Sequence, residues 1–411
     1  MMMKRVTNDR LHSSTKLLGT TKCFASLLLA LLACGSSLGQ SPARTANPAP
    51  NAAQNPTAPN PVDNLQTVEV HPDDRVTFRF YAPKASTVTV GGDFRMGAPA
   101  ALLTKDDAGI WTYTTDPLPP DSYTYNFNVD GIGVLDTRSP NFRENPNSLF
   151  NFFDMPGPET EFMALKDVPH GRVEQVIYHS TTLDAERRMH VYLPPNFEKI
   201  QGKLPVLYLL HGFSDNDISW TSAGKINLIL DNLYAEGKIK NMIVVMPSGH
   251  VAWPPRGRMS FSPGLDSDPF TKDFLNDIVP FVAKTYPVLT DRDDTAIAGF
   301  SMGGAQTLNI ALWHPEMFGY VYAISTGYFP DGLKELEAKD GAVMKNVAEH
   351  PFKQFVFARG KQDMLMHASS QATMEAMDKF GVHYRFVEMN GAHSFVFSRR
   401  FLASAFPELF R

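Results

Sequence analysis

Hydrophobic residues recur with two different rhythms along this chain, and the change between them divides it. Between 67 and 155 the apolar runs are short and alternate with polar residues. "RVTFRFYAP" sets Val76, Phe78 and Phe80 on one face, "STVTVGGDF" sets Val88 and Val90, and "SYTYNFNVDG" sets Tyr123, Tyr125, Phe127 and Val129. A period of two, broken by Gly, Pro and Asp turns, predicts a small all-β sandwich. From 172 to 411 the runs lose their alternation: 204–212, 241–249, 295–300, 320–327, 354–360 and 384–391 are apolar throughout. Helix-like stretches lie between and beyond them at 223–238, 270–285, 302–313, 371–380 and 394–409. Strands apolar on both faces predict a parallel sheet covered by helices on each side, an α/β domain. Ligand chemistry in such a domain belongs at the C-terminal ends of its strands.

The remaining segments carry neither rhythm. Residues 156–171 read as a linker. Residues 40–66 read as a disordered one, because "QSPARTANPAPNAAQNPTAPNP" (40–61) has no aromatic residue and too little apolar surface to offset ordering entropy. The N-terminus combines Lys4, Arg5, Arg10, Lys16 and Lys22 with the apolar run "FASLLLALLA" (24–33) and the small-residue exit "CGSSLGQ". That order predicts a secretory signal over 1–39, cleaved after Gly39, and a secreted or periplasmic protein. The run is too short to span a bilayer comfortably. An alternative stays open: "LLAC" (31–34) resembles a bacterial lipobox, which would make Cys34 a lipid anchor.

Composition narrows the function classes. With 411 residues, 43% hydrophobic and 20% charged, the chain has ample material for two or more cores. A formal charge of −5 gives no reason to expect a nucleic-acid partner. Loss of 1–39 removes five positive charges and one negative, Asp9, and takes the net charge from −5 to −9. Both cysteines, Cys23 and Cys34, leave with it, so the mature body holds no disulfide, cysteine nucleophile or thiolate metal site. No His/Asp/Glu spacing resembles a metal site, and neither a P-loop nor a dinucleotide fingerprint is present. The chemistry is expected to need no cofactor.

The residues that carry chemistry begin at "IAGFSMGG" (297–304). A buried strand delivers Ser301, with Gly299, Gly303 and Gly304 around it, and a helical pattern follows. This is the G-x-S-x-G nucleophile elbow in its strand–turn–helix context. Glycines give clearance where a sharp turn thrusts a hydroxyl away from the sheet, and the helix N-terminus favours developing negative charge. A bare pentapeptide also occurs in glycine-rich turns of nucleotide folds; the placed strand and helix decide for a nucleophile.

A serine hydroxyl needs a base, and in this kind of fold the chain order is Ser, acid, His. His393, in "NGAHSF" after the last strand, hangs where the base must. His383 begins that strand, a place for packing or surface, and His367 shares a loop with the nearest acid. That acid is Asp363, in "FARGKQDML" just beyond the penultimate strand; it could instead cap the next helix. Asp331 is the reserve candidate. The backbone N–H groups of Phe213, after "LLHG", and of Met302 are the expected oxyanion donors, and His211 is expected to organise its loop. Trp220 is a candidate pocket wall or core residue. Trp253 and Phe261, in "GHVAWPPRGRMSFSPG" (249–264), are candidates for the pocket rim.

Taken together, "RRMHVYLPPNF", "LPVLYLLHGFSDNDISW", "MIVVMPSGH", "DFLNDIVPFVAKTYPV", "AIAGFSMGG", "HPEMFGYVYAIS", "GKQDML" and "NGAHSFVFSRRFL" resemble carbohydrate esterase family one. Its members include feruloyl and acetylxylan esterases, related to enterochelin esterases and esterase D. The pieces span essentially all of 172–411, and the resemblance implies an α/β-hydrolase fold. "FRFYAPKASTVTVGGDF", "GIWTYTT", "LPPDSYTYNFNVDG" and "LDTRSPN" resemble an early-set, immunoglobulin-like module of the glycogen-binding type. In such modules a Trp at the position of Trp111 is more often core than a sugar platform, so a structural or substrate-shaping role is expected. The chain departs from the family in having Phe395 or Phe397 where many members have Trp, and Asp277 where many have Glu.

The resemblance implies a serine esterase that cleaves a feruloyl or acetyl ester from a plant-type polysaccharide or oligosaccharide. A siderophore or other small-ester hydrolase would use the same residues. A carbohydrate-binding protein on a hydrolase scaffold is the alternative from another class, and a complete Ser–Asp–His order argues against it.

Overall fold

A computed structural model describes residues 62–145, 148–251 and 268–411. The signal-like segment with Cys34, the Pro/Ala/Asn-rich segment up to 61, and the stretch carrying Trp253 and Phe261 lie outside the described residues. Among the described residues no helix is long and apolar enough to cross a membrane.

The alternating runs form the sandwich that their period predicts. One sheet pairs Val68–Val70, Val76–Tyr81, Ile110–Thr114 and Thr104–Lys105 in that order. The other runs Ala101–Leu102, Val88–Gly92, Asp121–Val129, Ser148–Met155 and Phe142–Asn145, with Ile132–Val134 also pairing on Asp121–Val129. Inward residues interleave into one core built on Val76, Phe78, Val90, Tyr125, Phe127 and Phe153. Trp111 belongs to that core: it is 6% exposed and its Nε1 donates to the Ala82 carbonyl at 2.9 Å. A ring held this way is a structural Trp rather than a surface platform.

The second domain is an eight-stranded sheet. Its strands lie in the order Arg172–Ser180, Ala185–Leu193, Ile243–Pro247, Val206–Leu210, Thr295–Phe300, Tyr320–Ile324, Gln354–Gly360 and Arg385–Met389. The last six are mutually parallel, and Ala185–Leu193 joins them antiparallel as the inner half of an edge hairpin. The hydrophobic rhythm did not mark that hairpin, because its outer strand buries only Tyr178 and Ser180 and carries an ordinary surface pattern. The central strands are buried along their length, so one set of side chains packs on each face. Tyr208, Leu210 and Ile297 meet the layer containing Met302–Trp313 and Pro269–Thr285, whereas Leu207, Leu209 and Ala298 meet Ile226–Ala235 and Phe395–Ala405.

The helix from Pro269 to Thr285 widens by one residue per turn over Phe274–Ile278. Pro280 follows at once and has no N–H to offer the preceding turn, which accounts for the widening. Asp277 lies within it and accepts hydrogen bonds from the N–H groups of Thr181 and Thr182, both at 3.0 Å, and from the Thr181 hydroxyl at 2.6 Å. Burial works against its charge, but the Thr181 and Thr182 donors hold its carboxyl below the ordinary range. An aspartate here closes the edge hairpin and stays away from the elbow.

Buried charge joins the two domains. Arg399, on the helix Phe395–Ala405, ion-pairs with Asp121 of the sandwich, both 1% exposed. It also donates to Ala223 O at 2.8 Å and Ser122 O at 2.7 Å. Arg400 reaches the other Asp121 oxygen at 2.6 Å, and Lys225 binds Asp154 at 2.6 Å. Removing one member of a buried pair strands its partner's charge, which costs about 3–5 kcal/mol. Asp121→Ala is therefore expected to lower the free energy of unfolding by about that much, measured by urea denaturation; a change below about 0.5 kcal/mol would show that the pair stabilises nothing.

Candidate active site

The site grows out of one turn. The strand Thr295–Phe300 ends at Phe300, the helix Met302–Trp313 starts two residues later, and Ser301 alone makes the corner at φ 56° and ψ −113°. Few non-glycine residues adopt such a backbone, and its strain is sustained by the packing around it. The Ser301 N–H donates to Ile324 O on the neighbouring strand at 2.9 Å. A Cβ at residue 299 would stand 2.1 Å from Gly303 O, and one at residue 303 would stand 2.5 Å from Leu210 O. Glycine at 299 and 303 is thus a matter of clearance, and the close approach at Gly303 brings the loop after Val206–Leu210 against the elbow.

His393 lies between Arg385–Met389 and Phe395–Ala405, with its ring against Phe300 at a centroid distance of 4.7 Å. Its Nε2 is 2.9 Å from Ser301 Oγ and its Nδ1 is 2.9 Å from Asp363 Oδ2. Asp363 is buried, and its other oxygen accepts from the Met366 N–H at 3.1 Å, one residue before the helix His367–Lys379. It therefore does both jobs that the sequence left open, facing the imidazole and tying down the next turn. Burial alone would raise its carboxyl, yet the His393 bond and the Met366 N–H together hold it below the ordinary range. A carboxylate that stays ionised there can orient the ring and stabilise an imidazolium.

The other candidates separate cleanly. Asp331 is exposed and pairs with Lys334 on the helix Pro330–Leu336. His383 is exposed ahead of the last strand, and His367 starts the helix His367–Lys379, where its carbonyl accepts from Arg359. Met302 is the first residue of its helix, where backbone N–H groups have no acceptor within the helix. Phe213 follows Gly212 on the loop packed against the elbow, its ring partly exposed and edge-on to His250. Trp220 must be corrected: it has no exposed surface, and its ring stands edge-on behind Phe395 at 5.0 Å. It buttresses Phe395 and does not line the pocket. Trp253 and Phe261 lie outside the described residues.

His211 has the organising role expected of it. Its Nδ1–H donates to Gly212 O at 2.8 Å, and its Nε2 accepts the Gly249 N–H at 2.8 Å, a pairing that only neutral imidazole can make. Burial, with His250 alongside, pushes it down to about 4.

Two residues that sequence patterns did not single out also come to the site. Asp215, on the Phe213 loop, is 3% exposed with its carboxylate against Gly212, and burial raises it to about 6 although Arg143 pulls the other way. Arg143 belongs to the sandwich, on Phe142–Asn145; its guanidinium lies 3.7 Å from Asp215 and over the Phe395 ring at 5.6 Å. Nothing local in "RSPNFREN" signals that its arginine crosses to the other domain.

Residues 180–396 match the family model described as "Putative esterase", and 67–142 match that of carbohydrate-binding module 48, the isoamylase N-terminal domain. An endo-1,4-beta-xylanase/feruloyl esterase of Xylanibacter ruminicola is 34% identical over 68% of this chain, a stretch that spans 39% of that protein. A solved ferulic acid esterase is 26% identical with a TM-score of 0.51, covering 59% of this chain and 98% of its own. The enterobactin esterase of Shigella flexneri, at 16% identity, shares the fold with a TM-score of 0.61 over 82% of this chain and 92% of its own.

Two outcomes test the site's construction. Gly303→Ala would press a methyl group on the Leu210 and His211 carbonyls, and is expected to cost about 2 kcal/mol or more of stability by overpacking; an unchanged melting temperature would contradict the clearance argument. His211 is held near 4 in the folded chain against an ordinary 6.5, so its contribution is complete above pH 6.5 and is lost as pH falls towards 4. His211→Asn is expected to flatten the acid side of the stability–pH curve between those limits, read by thermal denaturation at stepped pH.

Proposed function

This chain belongs to that esterase family, and we propose that it is a serine esterase acting on acyl esters of plant-type polysaccharides or oligosaccharides. One observation carries the mechanism: Ser301 Oγ, His393 and Asp363 form a continuous chain with both links at 2.9 Å. Ser301 attacks the ester carbonyl while His393 Nε2 takes its proton, and Asp363 stabilises the resulting imidazolium. The oxyanion that forms is met by the N–H groups of Phe213 and Met302. His393 then protonates the leaving alcohol, an acyl-enzyme remains on Ser301, and water attacks it by the same route in reverse.

Residues around the elbow favour a substrate with one apolar and one polar end. Phe213, Phe329, Met364 and Leu365 are exposed apolar side chains on loops that follow the strands ending beside Ser301. Exposed apolar groups on such loops suit the ring of a hydroxycinnamoyl group. A cleft of about 560 Å³ opens where the domains meet, with Glu144, Arg187, Arg188, Asn216, Asp217 and His250 among its lining residues. Its polar side chains suit the hydroxyl groups of a sugar, and the apolar surface between them suits a sugar's ring face. The similarity to a xylanase/feruloyl esterase of Xylanibacter ruminicola and to a ferulic acid esterase supports a feruloyl ester as substrate.

Turnover on methyl ferulate, acetylated xylan and a catecholate triester under matched conditions is expected to be highest on the ferulate ester. Ser301→Ala should lower turnover on the order of a millionfold, and Asp363→Asn about ten-thousandfold. Undiminished activity in Ser301→Ala would end the mechanism.

A further inference from the structure

The loop 211–218 runs from the strand Val206–Leu210 to the short helix Ser219–Ser222 and carries Phe213, one of the two oxyanion donors proposed above. Two turns give it shape: the Asp215 N–H donates to Gly212 O and the Ser219 N–H to Asn216 O, both at 3.1 Å. Bonds within a loop do not place it on the fold; that takes anchors to other elements. At its start the Leu210 and His211 carbonyls lie close against Gly303 of the elbow. Toward its end stands Asp217, 2% exposed, with both carboxylate oxygens bonded. Oδ2 accepts from Arg188 Nε and from His190 Nδ1, each at 2.7 Å, and Oδ1 accepts from Arg188 Nη2 at 2.8 Å. Arg188 and His190 are alternate residues of the strand Ala185–Leu193, so they share one face of it. Burial works against the Asp217 charge, yet the His190 and Arg188 donors hold its carboxyl down to about 2. Glu144 of the sandwich steadies Arg188 in turn, at 3.2 Å.

A clamp of this kind does more than fill space. A buried carboxylate costs desolvation, and apolar side chains of similar size stabilise a fold as well or better. What the arginine fork adds is direction, because two parallel N–H···O bonds fix the carboxylate in place and in orientation. Such definition has a use four residues away. There the Phe213 N–H has to lie about 2.7–3.1 Å from an oxygen whose charge develops only in the transition state. The Phe213 ring is partly exposed and edge-on to His250, so the backbone there takes its position from the loop. The strand Ala185–Leu193 also secures what lies behind that ring, since Arg187 donates to Ser248 O at 2.6 Å and to His250 O.

We infer that Asp217 is a positioning residue: clamped by Arg188 and His190, it sets the oxyanion loop so that the Phe213 N–H meets the developing charge. This rests on the serine-esterase reading above.

The full chain is assayed as wild type, Asp217→Asn, Asp217→Glu and Ser301→Ala on methyl ferulate, an ester with no sugar to touch the cleft that Arg188 and Asp217 line. Asp217→Asn is expected to lower kcat about 100-fold while KM changes less than about threefold. Asp217→Glu, which keeps the carboxylate on a longer stem, should recover part of that loss. The second readout is inhibition by the trifluoromethyl ketone analogue of methyl ferulate, whose adduct with Ser301 carries the oxyanion. Its Ki should rise in Asp217→Asn by the factor lost from kcat/KM. A rise in KM alone, an unchanged kcat or an unchanged Ki overturns the assignment, even where the melting temperature falls. Should Asp217→Asn fail to fold, Arg188→Lys decides by the same readouts: the charge stays, the fork is lost, and kcat and Ki should shift together about tenfold. Undiminished turnover in Ser301→Ala would bring down the esterase reading and this assignment with it. Lost turnover there, beside full turnover in Asp217→Asn, brings down the assignment alone.

Discussion

A hydroxyl can stand clear at the apex of a strand-to-helix corner only where the backbone beneath it carries no side chains, and this site depends on that constraint. Ser301 is held at φ 56° because Gly299 and Gly303 allow three backbone segments to approach within contact distance. The same approach sets the Phe213 loop beside the first turn of Met302–Trp313, so Ser301 and the two proposed oxyanion donors, Phe213 and Met302, have one structural origin. His393 and Asp363 arrive independently, each on the loop after its own parallel strand, and meet Ser301 because those strands end on the same side of the sheet.

Charge buried between the domains then extends the site beyond the hydrolase sheet. The helix Phe395–Ala405 begins two residues after His393 and carries Arg399 and Arg400 to Asp121 of the sandwich. Lys225, at the start of Ile226–Ala235, reaches Asp154 in the same way. Trp111 is enclosed in the sandwich's own core, so that ring serves the module's packing. Phe395 shows how closely the parts are stacked: Trp220 supports one side of it, and Arg143 of the sandwich lies over its ring.

What the sequence revealed follows from how local each feature is. Gly299, Ser301 and Gly303 are fixed by neighbours in the chain, so their spacing alone conveys the turn. Asp363 and His393 were legible because strand ends can be found from apolar runs and the order of the groups is constrained. Asp277 and the edge hairpin were harder, since a half-exposed strand has the texture of any surface segment. Trp220 was ambiguous in principle: a large ring near a site can face the ligand or the core, and only the position of Phe395 decides. Arg143 and Asp215 were invisible as a pair, because each is an ordinary charged residue until the domains pack.

The central claim is that Ser301 becomes covalently acylated with His393 as its base. Rapid acid quenching during turnover of p-nitrophenyl ferulate, followed by peptide mass spectrometry, tests it most directly. A feruloyl adduct on the peptide containing Ser301, abolished by His393→Ala, is the predicted result. An adduct on another residue, or turnover with none formed at any quench time while product accumulates in a pre-steady-state burst, would contradict it.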